Sequence, residues 1–487
     1  MDVIVEISIT PTVIPVVQTM PADLLTPLAV YLKLSATSAN SFLLESVEGG
    51  KSLARYSFIG ADPEMIVRGS DAAIDLDDKR GRRTEPLGLI PYLRDHFAAR
   101  NAVTDADLPA FIGGAIGYLG FDCCEWFEPT LKQGKASDDA ALMFFSSIVA
   151  FDHAKQVIKI ISLVFTHEAD NDAALEGLFE AANDRNHSIQ NILETGFPTL
   201  PKTEPVTSPA TVNSNWERTD FEGAVSTVKE LINAGECYQA VLSQCFTRPT
   251  NASPVSIYRA LRSLNPSPYM FLLQFEDKAI VGASPEMLVR CEGQRLEYRP
   301  IAGTRHRGTN QTEDDALAEE MRHDAKEIAE HVMLVDLGRN DLGRVAEYGS
   351  VTVDTLMKVE KYSHVQHLVS SLSAKLRDGL DRFDALASCF PAGTVSGAPK
   401  VRAIEIIRDL EPTPRGVYAG AVGYFDYAGN MDTCIAIRTM VLAGGVAKIQ
   451  AGGGIVADSI PALEFEESVN KAKVLLKAIE IAESGVV

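Results

Sequence analysis

The chain has 487 residues, and 45 Lys and Arg against 66 Asp and Glu leave a net charge of −21 at neutral pH. Hydrophobic residues make up 46% and charged residues 23%, the balance of a folded globular protein, which excludes disorder over most of the chain. The acid excess argues against nucleic acid or an anionic membrane as the main partner, because phosphate binding needs clustered Lys and Arg.

The first part carries strand-like runs at 42–46, 112–119 and 144–151. Its start, Met1-Asp2-Val3-Ile4-Val5-Glu6, has no basic region of a secretory signal, and the uncharged run 108–121 falls short of the ~20 residues that a membrane span requires. Seven cysteines are too few and too scattered for a disulfide scaffold or a zinc site, which fits a reducing cytoplasm. Between Gly196 and Asn215, Pro198, Pro201, Pro205 and Pro209 mix with Thr, Ser and Lys. This composition reads as a surface linker. The chain is thus expected to divide into residues 1–195, a linker 196–215, and residues 216–487.

The second part opens with Thr219-Asp220-Phe221-Glu222, a capping-box pattern, and apolar residues at helical spacing up to Gly235. Strands are expected at 237–247, 269–275, 279–282, 287–290 and 296–300, then at 416–426 and 433–442. Helical runs follow at 313–337, 400–409 and 461–481. Together these predict an α+β fold, a large and mostly antiparallel β-sandwich with helices packed outside, to which both parts of the chain contribute.

Two helical segments, Glu327-Ile328-Ala329-Glu330 and Glu464-Phe465-Glu466-Glu467, place carboxylates three apart and hence on one helix face. Such a pair is either a solvated acidic face or a set of oxygen ligands for a hard cation such as Mg²⁺. Glycines gather in Pro300–Arg305, Pro391–Lys400 and Ala451–Gly454, where turns can expose N–H groups to an anion or simply tighten the chain. The middle run is no P-loop, since Ala398 and Pro399 stand where that motif needs Gly-Lys. His367 reads as a buried histidine or an acid–base group, Arg438 as a strand-end arginine able to grip a carboxylate, and Glu286 as a carboxyl at a turn. No Ser/His/Asp or Cys/His triad can be assembled.

These motifs in this order resemble the chorismate-utilising enzymes, and within them the anthranilate synthase component I branch. The matching stretches are Leu43–Ser46, Arg55–Phe58, Pro300–Arg305, Leu334–Asp341, His367–Val369, Gly393–Lys400 and Ala451–Asn470. His306 departs from the pattern, since relatives usually carry proline there.

The resemblance implies conversion of chorismate and ammonia to anthranilate and pyruvate. It implies Mg²⁺ bound by Glu330 and Glu467, supported by Glu327 and Glu464. Tyr418, Arg438, Lys471 and the amides of Gly452, Gly453 and Gly454 would hold the substrate carboxylates, with Gly303, Thr304 and Thr394 lining the pocket. Glu286 would supply a proton to the leaving hydroxyl, and His367 is the position associated with pyruvate elimination.

Gln239 stands where water-adding relatives place a lysine base. Ala302 stands where aminodeoxychorismate synthases carry a nucleophilic lysine, so that reading is an alternative, as is a non-catalytic tryptophan-sensing subunit. Ser46, Pro268, Tyr269 and Met270 resemble a tryptophan site for feedback inhibition. None of the seven cysteines sits on a nucleophile elbow, so the resemblance implies a separate glutamine amidotransferase subunit.

Overall fold

The computed structural model describes residues 11–46, 55–103, 105–132, 140–201, 210–362 and 365–485, with only the backbone of Thr304. Met1–Glu6, Pro205, Pro209 and His364 therefore lie outside the described residues.

Two large antiparallel sheets face each other. In the first, strands Val13–Pro21, Val157–Phe165, Ser147–Asp152, Tyr56–Ala61 and Ser41–Glu45 run side by side. They continue into Tyr269–Gln274, Lys278–Ser284, Thr439–Ala443, Val446–Ile455 and Gln239–Pro249. In the second, Ile301–His306, Val365–Lys375, Arg295–Tyr298, Met287–Glu292, Met431–Ile435 and Ala421–Asp426 continue into Gly114–Leu119, Ala140–Phe145 and Met65–Gly69. Each sheet is therefore half early chain and half late chain. The seams are Phe271 opposite Leu44 in the first sheet and Ala421 opposite Leu119 in the second.

Alternation along the strands builds the layers. Phe42, Phe271, Leu273 and Ile280 enter the core between the sheets, where they join Ile116, Leu142, Leu288 and Phe425. Their neighbours Leu43, Leu272 and Val281 point to the opposite face and form a second core with helix residues Ile257, Leu261, Leu475 and Ile479. The α+β sandwich with helices outside is the fold expected from the sequence.

Local differences have physical causes. The helical run expected at 313–337 is two helices, Gln311–His323 and Ala325–Gly343, because Asp324 is extended and its carboxylate caps Lys326 N at 2.9 Å and Glu327 N at 3.2 Å. The capping box at Thr219 does not form. The helix starts at Arg218, whose guanidinium takes Glu222 at 2.7 Å and removes the carboxylate such a box needs. The strand expected at 416–426 begins only at Ala421, after Gly416 and Ala419 adopt positive φ in the preceding turn. His306 is exposed at the end of its strand.

Candidate functional site

A cleft of about 740 Å³ opens between helix Ala325–Gly343, the first turns of helix Pro461–Ser484 and the glycine end of strand Val446–Ile455. Of the residues singled out from sequence, it gathers Gln239, Glu286, Glu330, Thr394, Tyr418, Arg438, Gly452, Gly453, Gly454, Glu464, Glu467 and Lys471.

Glu286 sits in the turn between strands Lys278–Ser284 and Met287–Glu292, held by Ser284 Oγ on its N–H and by the N–H of Ile435 on its carbonyl. Its carboxyl is buried, and among the described residues neither its Oε1 nor Thr394 Oγ1 has a well-formed hydrogen-bond partner. Burial pushes this carboxyl up to about 8, and the nearby Thr394 hydroxyl draws it back only in part. The group is therefore mostly a neutral acid at pH 7, able to donate a proton into the cleft.

The opposite wall is cationic. Arg438 stands just past strand Met431–Ile435 with φ 51°, a left-handed conformation that costs a non-glycine residue about 1–3 kcal/mol. Its guanidinium donates to the carbonyl of Lys471 at 2.9 Å. Burial pulls it below its usual value, opposed by Tyr418 and Glu467. Tyr418 is itself pushed up to about 12, chiefly by burial. An anion would offset the desolvation of both groups.

The glycines permit close approach of backbone. A Cβ on Gly452 would stand 2.2 Å from Leu242 O, and one on Gly454 would stand 2.6 Å from the Gln239 amide nitrogen. On Gly453 it would meet Glu464 Oε2 at 3.2 Å and Glu467 Oε1 at 3.3 Å.

Glu330, Glu464 and Glu467 crowd the remaining side. Burial first, and then neighbouring carboxylates including Glu467, raise Glu330; burial also raises Glu464. Lys471 offsets the repulsion by an ion pair with Glu467 at 2.6 Å. Among the described residues no three ligating side chains form a ready metal centre. One or two carboxylates with room for water is, however, the ligand set that Mg²⁺ takes, so these residues fit that ion.

Three expected site residues, Glu327, His367 and Gly303, do not line the cleft. Glu327 is turned to Arg305, with NH1 2.9 Å from Oε1. His367 donates from Nδ1 to Gly303 O at 2.8 Å, which makes Nε2 the basic nitrogen of the neutral ring. Gly303 belongs to strand Ile301–His306, beside the cleft rather than in its wall, and the Thr304 side chain lies outside the described residues. Conversely, Lys326, Gln450, Asp458 and Ser459 line the cleft without having been singled out. Lys326 and Gln450 adjoin Glu327 and the glycine run, and that adjacency was the available signal.

Ser46, Pro268, Tyr269 and Met270 also come together, around a separate cavity of about 80 Å³. Tyr269 donates to Asp432 Oδ1 at 3.0 Å, and Arg290 reaches the same carboxylate at 2.6 Å. Tyr269 is also directly opposite Ser284, the residue that holds Glu286 N.

The family model for "chorismate binding enzyme" matches residues 39–477. Anthranilate synthase component 1 of Pseudomonas putida is 45% identical over 478 residues, covering 95% of this chain and 94% of its own. Its counterpart from Acetivibrio thermocellus is also 45% identical, over 486 residues and 96% of each chain. The crystal structure of anthranilate synthase component I from Streptococcus pneumoniae superposes with a TM-score of 0.77 at 35% identity, covering 94% of this chain and 99% of that one. Fold, cleft and near-full-length identity agree, and the chain belongs to the chorismate binding enzyme family.

Proposed function

We propose that this chain is the chorismate-converting component of an anthranilate synthase, forming anthranilate and pyruvate from chorismate and ammonia. The observation that carries this reading is Glu286: a buried carboxyl raised to about 8 faces a cleft shared by Arg438, Lys471 and a glycine edge.

Chorismate has two carboxylates, a ring hydroxyl and an enolpyruvyl ether. Arg438, Lys471 and the backbone of Gly452–Gly454 bind the carboxylates and orient the ring. Glu286 gives its proton to the C4 hydroxyl as that group leaves and ammonia adds at C2. His367 stands beside the cleft with its tautomer fixed by Gly303 O, and by resemblance it is the position associated with the pyruvate-elimination step. We infer that Glu330 and Glu467 hold Mg²⁺, with Glu464 in support while Glu327 is engaged by Arg305; the ion would supply positive charge against the ring carboxylate.

Gln239 in the cleft offers no base for activating water, and Ala302 offers no nucleophile, which disfavours the isochorismate and aminodeoxychorismate outcomes. The seven cysteines are all buried, and burial raises the thiols of Cys124, Cys237, Cys245, Cys291, Cys389 and Cys434. Ammonia from glutamine would accordingly need a partner amidotransferase. The cavity at Ser46 and Pro268–Met270 is the proposed tryptophan site for feedback inhibition.

The test is incubation of the purified chain with chorismate, Mg²⁺ and ammonium, following anthranilate fluorescence and pyruvate together. Both products in equal amounts are expected. An aminated product without pyruvate, or no turnover, would overturn the reading.

A further inference from the structure

Behind the cleft lies another cavity, of about 220 Å³, which shares Tyr418 and Gln450 with it. The strand Val446–Ile455 connects the two, because Lys448, Gln450, Gly452 and Gly454 alternate onto one face. Lys448 and Gln450 line the rear cavity; Gln450, Gly452 and Gly454 line the cleft.

In a chain of net charge −21, the rear cavity is lined by Lys278, Lys448 and Arg415 and, among the described residues, by no carboxylate. Arg415 is satisfied, by Glu411 at 2.7 Å and by the carbonyls of Val395 and Val241. Lys278 donates to the Tyr118 hydroxyl at 2.7 Å and stands over that ring, 5.1 Å from its centroid. The half-buried Lys448 is paired through its strand backbone, but its ammonium has no hydrogen bond or ion pair among the described residues. Among the described residues neither lysine has a carboxylate partner, and two positive charges facing one cavity favour an anion there.

We propose that the rear cavity is a binding site for a small carboxylate, filled by the pyruvate that the reaction releases beside Tyr418. The identity of that anion rests on the function proposed above; the site itself rests on the lysines and the cavity. The volume suits a three-carbon acid, and Lys448 and Lys278 supply donors for its carboxylate.

The experiment titrates sodium pyruvate into the purified chain without chorismate, by calorimetry and ligand-observed NMR, for wild type, Lys448→Gln and Lys278→Met. Each substitution is expected to weaken binding about tenfold, the loss of one charged hydrogen bond. Acetate should compete, and uncharged acetamide should not.

In turnover, product inhibition by pyruvate should weaken in step while KM for chorismate stays within about twofold. Pyruvate binding unchanged in both variants would overturn the site, placing the acid in the main cleft. A raised KM for ammonium with unchanged pyruvate affinity would overturn it in favour of an amine entry route. If wild type binds pyruvate through the lysines but makes no anthranilate, the proposed function fails and the carboxylate site stands.

Discussion

Lys471 bridges Glu467 and Gly452, its ammonium donating to Oε1 of the one at 2.6 Å and to the carbonyl of the other at 2.9 Å. The lysine thereby ties the acidic helix to the glycine strand and holds Glu467 at the cleft. Replacing Glu467 by Gln keeps the shape and removes the charge. Half-saturation by Mg²⁺ is expected to rise at least about tenfold, while the thermal unfolding midpoint stays put because Glu467 is half exposed. A magnesium titration of activity beside a melting curve checks both.

Glu286→Gln should lower kcat by roughly 10²–10⁴-fold, the usual worth of a general acid, without altering secondary structure. In the wild type, activity should fall as pH rises through about 8, since only the protonated carboxyl donates. The variant's residual rate should lack that limb, measured at constant free ammonia.

The same carboxyl predicts an effect on stability. Its folded value lies above its unfolded one, so the unfolded chain loses this proton first, and stability falls as pH climbs from about 4.5 to about 8. Glu286→Gln removes that loss, which amounts to about 5 kcal/mol if no water enters. Denaturant unfolding should show the variant gaining on wild type as pH rises.

Neighbouring glycines should separate fold from chemistry. Gly452→Ala drives a Cβ against Leu242 O at 2.2 Å and is expected to destabilise by about 1–3 kcal/mol. Gly453→Ala meets only carboxylate ends at 3.2 and 3.3 Å, so it should spare stability yet impair magnesium and chorismate binding. Urea unfolding and KM measurements on both variants decide the contrast.

Ser46→Phe should abolish inhibition by tryptophan, raising the half-inhibiting concentration over tenfold with kcat preserved, because Phe fills a cavity of about 80 Å³. Unchanged inhibition in a kinetic assay would remove tryptophan from that cavity.

Much of this arrangement was legible in the residues. Alternation at 269–275 and the i, i+3 carboxylates of Glu327–Glu330 and Glu464–Glu467 are local signals, and local periodicity survives folding. The split at Asp324 was less legible, since an aspartate within an acidic helical run can lie on a helix face or cap the next helix. Asp324 also helps explain Glu327: restarting the helix there leaves Glu327 in its first turn, where it meets Arg305. The raised pKa of Glu286 could not be read from Ala283-Ser284-Pro285-Glu286, because it depends on burial by distant segments. The rear cavity was hidden for the same reason, as Lys278, Arg415 and Lys448 are far apart in sequence.

The seams at Leu44–Phe271 and Leu119–Ala421 bear on how the chain is made. On the ribosome, the first 195 residues emerge with two half-sheets whose inner edges, Ser41–Glu45 and Gly114–Leu119, still lack their partners. Those edges are apolar and open to pairing with another nascent chain until Tyr269–Gln274 and then Ala421–Asp426 are synthesised. Separately expressed halves should therefore aggregate alone and recover solubility only when produced together.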